Sequence, residues 1–86
     1  MQFEGCVLTE QNITFGIAIV KQSVLNSPSQ ARDAIIGFSR VFGHIPTVLM
    51  AQDSRGVPTY YGRTDIVNFL ANVSIDRIPW KRYTLN

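Results

Sequence analysis

Residues 45–52 read Ile-Pro-Thr-Val-Leu-Met-Ala-Gln, and the rest of the chain is best read outward from them. Pro46 pushes Ile45 out of the helical region and so divides the chain at this point. Thr47–Gln52 is then a near-continuous apolar run, the pattern of a strand covered on both faces. Asp53-Ser54-Arg55-Gly56 is turn chemistry, with Asp first and Gly last. Residues 57–61 return as a hairpin partner. Pro58 cannot donate to a ladder, so this strand is expected at an edge. Gly62 ends it.

Toward the C-terminus, Thr64 is placed to cap a helix whose apolar face is Ile66, Phe69, Leu70 and Val73. Residues 74–77 read as a turn, Pro79 forbids further helix, and residues 80–85 alternate as a short final strand. Toward the N-terminus, Ser27-Pro28-Ser29-Gln30 is a helix start, with Ser27 as cap, Pro28 at the first position and Gln30 completing a capping box. Ala31, Ala34, Ile35, Phe38, Val41 and Phe42 come next with helical spacing, and Gly43 stands where a C-cap belongs. Ile36 lies off that stripe, where it is expected to extend a contact to a partner. Residues 13–20 form the clearest strand. Ile13, Phe15, Ile17 and Ile19 point one way. Thr14, Gly16, Ala18 and Val20 point the other, a face of small residues that lets a neighbour pack close, so this strand belongs inside the sheet. Residues 3–8 are a further strand, joined to it by a turn at Glu10-Gln11-Asn12.

The order is ββαββαβ over a single domain spanning residues 1–86. It predicts an α+β layer, with two helices on one face of a mainly antiparallel or mixed sheet. The bare second face would then need cover, which points to a homodimer.

Composition supports a folded chain that lacks internal staples. Leu, Ile, Val and Phe supply 27 of the 86 residues, too many for a disordered chain. Charged residues are only 16%, against about 25% in an average soluble domain, so part of the surface is expected to face a partner. A chain this short buries only about 60–65% of its unfolded surface. Cys6 is the one cysteine, so no disulfide helps, and no Cys/His cluster suggests a metal. Oligomerisation is the remaining support. No stretch approaches the ~20 apolar residues of a membrane span, so no membrane partner is expected. Residues 1–10 lack a basic and then apolar leader pattern, and a lone cysteine fits a reducing compartment, so a cytoplasmic location is expected. The net charge is +2, carried wholly by residues 44–86, too small an excess for a basic stripe.

Ile45-Pro46-Thr47, the apolar strand, the hairpin, Gly62 and the helix carrying Phe69-Leu70 resemble the C-terminal half of a thioredoxin-like domain across residues 45–73. The resemblance implies a cis peptide before Pro46. The chain departs from that family in having no Cys-x-x-Cys and only one strong strand-helix unit before Pro46, so dithiol chemistry does not carry over.

Two segments concentrate candidate binding residues. In residues 52–65, Asp53, Arg55, Tyr60, Tyr61, Arg63 and Asp65 bracket the hairpin. Two arginines can fork a carboxylate or phosphate, and tyrosines add flat contact area. Against this, Asp53 suits the turn, Asp65 suits the helix start, and the arginines suit ion pairs with them. The second segment is Trp80-Lys81-Arg82-Tyr83, aromatics interleaved with cations as in single-stranded nucleic-acid contacts or protein hot spots. The competing reading packs Trp80 on the core. Catalysis lacks a constellation: a nucleophile–base pair would need His44, the only histidine, near Cys6 or an Asp. No cofactor and no metal are expected. The leading expectation is a non-catalytic protein-interaction module acting as a homodimer, with Tyr60 or Tyr61 at a protein contact. The alternative is a weak binder of a phosphorylated ligand or nucleic acid through Arg55, Arg63, Arg77, Lys81 and Arg82. A small enzyme comes third.

Overall fold

In the computed structural model, which describes residues 2–84, Thr47–Gln52 is a strand with Val48, Leu49, Met50 and Ala51 at 0% exposure. It is β3 of a mixed five-stranded sheet ordered β4-β3-β2-β1-β5. The others are β1 (Gln2–Glu10), β2 (Ile13–Ile19), β4 (Pro58–Tyr61) and β5 (Lys81–Thr84). The helices are α1 (Gln22–Leu25), α2 (Pro28–Phe42) and α3 (Thr64–Leu70), with a 3-10 turn at Ile75–Arg77. The chain is thus one small α+β domain in the expected order, with the short α1 added ahead of α2. The expected last strand ends at Thr84; Leu85 lies outside the described residues. β4 is at an edge, as Pro58 requires. β2 and β3 are parallel, from Gly16 opposite Thr47 to Ile19 opposite Met50, and every other pairing is antiparallel. A parallel pair needs a long crossover, and α1 and α2 supply it.

The helices lie on both faces of the sheet, not on one. Strand alternation sends Phe15, Ile17, Val48 and Met50 to the side where Ile66 and Leu70 of α3 pack. It sends Phe3, Ala18 and Leu49 to the side where Ala31 of α2 packs. Each sheet face carries its own apolar cluster, so each needs a cover, and the short α3 crosses over to provide the second. The argument for a dimer from a bare face therefore fails.

Local chemistry explains the element ends. Ser27 Oγ accepts from the Gln30 N–H at 3.4 Å. The reciprocal half of the expected capping box is absent because the Ser27 N–H already donates to the Val24 carbonyl. Gly43, at φ 95°, closes α2, and the His44 N–H donates to the Ser39 carbonyl at 2.7 Å. Thr64 is the first residue of α3 rather than its cap; Arg63 holds the cap position without a side-chain bond. The peptide before Pro46 is trans, against the implication of the thioredoxin-like resemblance. Gln11 and Asn12 both have positive φ, the signature of a tight I′ hairpin between β1 and β2.

The small face of β2 is used as its residues suggest. A Cβ on Gly16 would lie 2.3 Å from the Phe42 ring, so the last turn of α2 sits directly on the strand. Phe42 meets Phe3 and Tyr83 edge-on at 5.8 and 5.2 Å, and Phe3 stacks on Tyr83 at 5.2 Å.

The sheet has one irregularity. The β1–β2 ladder ends at Gly5 opposite Ala18. Beyond it, Gln2–Glu4 stay with β5, while Ile19 stays with Met50 and the Val20 N–H donates to the Met50 carbonyl at 2.8 Å. The sheet forks there, half of it leaving with β5 and half with β3.

Candidate functional site

The hairpin residues are placed by its register. Leu49 pairs with Tyr61 and Gln52 with Pro58, so Arg55 sits at the tip and Arg63 beyond the opposite end. From Pro58 to Arg63 is five residue steps, about 16 Å of chain. The two guanidiniums therefore do not converge on one anion. Each has a local partner instead: Arg55 Nη2 lies 3.5 Å from Asp53 Oδ2, and Arg63 Nε lies 2.9 Å from Asp65 Oδ1. Asp53 Oδ1 also accepts from the Val57 and Arg55 N–H groups at 2.9 and 2.8 Å. Those bonds, led by the one from Val57, hold its carboxyl below the ordinary carboxylate range.

Tyr60 and Tyr61, adjacent in β4, project to opposite faces. Tyr60 packs on the α3-side cluster and Tyr61 on the α2-side cluster, so no single contact takes both rings. The Tyr60 hydroxyl is buried and finds no hydrogen-bond partner among the described residues; burial pushes its pKa up. Trp80 packs on the α3-side cluster, and its Nε1 donates to the Ile75 carbonyl at 3.3 Å. Tyr83 belongs to the aromatic cluster on the other face. Arg82 is exposed opposite Glu4. β5 and β4 are the two edges of the sheet, four strand spacings or about 19 Å apart. The candidate cations thus lie in separate places. His44 is exposed at the end of α2, whereas Cys6 is buried on the α3 side, so these two are not brought together. Burial, partly offset by Lys81, raises the Cys6 pKa. Among the described residues no three His, Cys, Asp or Glu side chains are grouped to hold a metal, and no helix is long and apolar enough to cross a membrane.

The feature that the sequence reading missed is at the fork. There a groove of about 630 Å³ opens on the α2 side, walled by Phe3, Val20, Val24, Ala34, Gly37 and Phe38. Its volume is that of a small-molecule site, and its walls are almost wholly apolar. Gln2 and Lys21 stand at its rim. Two sequence signals mark it. Val20 and Val24 bracket Lys21, and a glycine interrupts α2 between Ile36 and Phe38. A helix-interior glycine costs about 0.5–1 kcal/mol relative to alanine. At Gly16 packing demands the missing side chain. At Gly37 it does not, since a Cβ there would meet no atom within 4 Å. Gly37 leaves the mouth of the groove open.

No protein-family model, curated protein or solved structure matches the chain.

Proposed function

We propose that this chain is a non-catalytic binding module of the cytoplasm, and that the groove at the fork of the sheet is where it binds. The observation that carries the reading is Gly37: a destabilising residue in α2, with no packing reason of its own, at the mouth of an apolar groove of ligand size. The sequence's other candidates support it by being engaged elsewhere. Asp53, Asp65 and their arginines hold local structure, and Trp80 and Tyr83 pack on the sheet. Gly37→Phe fills the mouth from an exposed helix position. Wild-type protein titrated with decanol is expected to show amide shifts at Gln2, Val24 and Gly37, and the variant none at Gln2 and Val24. Equal binding by both proteins, or shifts confined to other parts of the fold, would overturn the reading.

The homodimer remains a second proposal, resting on Ile36, 54% exposed on the outer side of α2. Sedimentation equilibrium tests it: a dimer that Ile36→Lys dissociates supports it, and a monomer at tens of micromolar removes it. Nothing in the geometry favours the phosphate or nucleic-acid reading, whose cations lie at opposite sheet edges.

A further inference from the structure

Resting on that reading of the groove, we infer that its ligand is a free amphiphilic monoanion, such as a medium-chain carboxylate, with its tail between β1, α1 and α2 and its head at Lys21. The walls exclude most other chemistries. Phe3, Val20, Val24, Ala34 and Phe38 offer dispersion and apolar area but no directional partner. A sugar or nucleotide in the groove would leave its hydroxyls and ring nitrogens unpaired. A hydrocarbon tail loses nothing there. Among the described residues, Lys21 is the one charged residue lining the groove and Gln2 the one other polar residue. Lys21 forms no ion pair with a described residue. One uncompensated cation matches one negative charge. Glu4 lines an adjoining depression with Arg82 and Gln52, which shares Gln2, Phe3 and Ile19 with the groove. Glu4 itself is not among the groove's lining residues, and next to Phe3 in β1 it projects to the opposite face of the sheet.

Chain length and head group are separable in the test. Octanoate, decanoate, decanol and decylammonium are titrated below their micellar concentrations into wild type, Lys21→Gln and Gly37→Phe, followed by amide shifts. The Lys21 backbone carbonyl holds the first turn of α1 through the Val24 N–H at 3.0 Å, and the substitution leaves that bond alone. Decanoate is expected to bind about tenfold or more tighter than octanoate, at about fourfold per buried methylene. Lys21→Gln should weaken decanoate by about two- to fivefold, the range for an exposed pair, and leave decanol unchanged. Decylammonium should bind weakest to wild type. Gly37→Phe should abolish all of it.

If decanol and decanoate bind alike and Lys21→Gln changes neither, the anionic head is wrong while the groove stands as a binding site. If no probe binds, or Gly37→Phe alters none of the titrations, the groove reading fails and this inference with it. If wild type sediments as a dimer that Gly37→Phe dissociates, a second copy fills the groove and the inference is overturned.

Discussion

Two substitutions of glycine by alanine, made in the same protein, should move its stability in opposite directions. At Gly16 the new Cβ would lie 2.3, 2.7 and 2.8 Å from Cδ2, Cε2 and Cγ of Phe42. Carbon atoms in contact sit about 3.5–4.0 Å apart, so the ring must retreat by more than about 1 Å. Turning the ring does not suffice, because Cγ, its point of attachment, is itself too close. Retreat is also resisted, because the ring is set edge-on against both Phe3 and Tyr83. Overpacking of this kind costs about 1–3 kcal/mol. At Gly37 the same methyl meets open space and removes a helix penalty, so Gly37→Ala should stabilise by about 0.5–1 kcal/mol. For a domain of this size each kcal/mol shifts Tm by about 4–8 °C. Gly16→Ala should thus melt about 4–24 °C lower and Gly37→Ala about 2–8 °C higher. Urea melts with a common slope would confirm that only stability changed. A neutral Gly16→Ala would refute the close seat of α2 on β2. A destabilised Gly37→Ala would mean that something in the folded protein already occupies that space.

Removing the Tyr60 hydroxyl should help the fold. A buried polar group without a partner costs about 1–3 kcal/mol, so Tyr60→Phe is expected to raise the urea midpoint. Because burial raises the folded pKa of Tyr60 above its ordinary 10.0, wild-type stability should fall as pH rises from 10.0 through the folded value, and Tyr60→Phe should lose less there. Asp53→Ala should lower stability at neutral pH by freeing the Val57 and Arg55 N–H groups at the hairpin tip. The folded pKa of Asp53 lies below 3.8, so its contribution is present above 3.8 and lost as pH falls through the folded value; the gap between wild type and variant should close in that window. Ser27→Ala should cost about 0.5 kcal/mol, the low end for an N-cap, because the capping bond is long at 3.4 Å; an unchanged thermal midpoint would show that Pro28 alone starts α2.

The regular elements were legible where one local rule spoke without competition. Ser27-Pro28 and Gly43 bound α2 to the residue, and Thr47–Gln52 is the strand as read. That strand also held the clue to the layering. A run buried at every position from Val48 to Ala51 requires cover on both faces, and a one-sided layer is inconsistent with it. α1 was invisible because four residues without a side-chain cap carry no helical period. The site was hidden for a different reason. Charged and aromatic residues attract notice in a sequence, but Asp53, Arg55, Arg63 and Asp65 answer to neighbours two residues away. The groove instead depends on where the β1–β2 ladder stops, and no side-chain pattern in residues 2–5 or 18–21 announces that.

The fork also dictates an order of events during synthesis. Among the described residues, Gln2–Glu4 find a strand partner only in β5, although β1 is made first and β5 last. Its second half can zip to β2 as soon as the I′ turn has left the ribosome. The Phe3 ring gains Phe38 and Phe42 at 4.5 and 5.8 Å once α2 is made, but the strand end must wait for β5, since Tyr83, paired with Phe3, comes eighty residues behind it. At about 5–20 residues per second that wait lasts about 4–16 seconds. For that interval the nascent chain displays an unpaired strand end, and a chaperone that recognises such segments would find its target there.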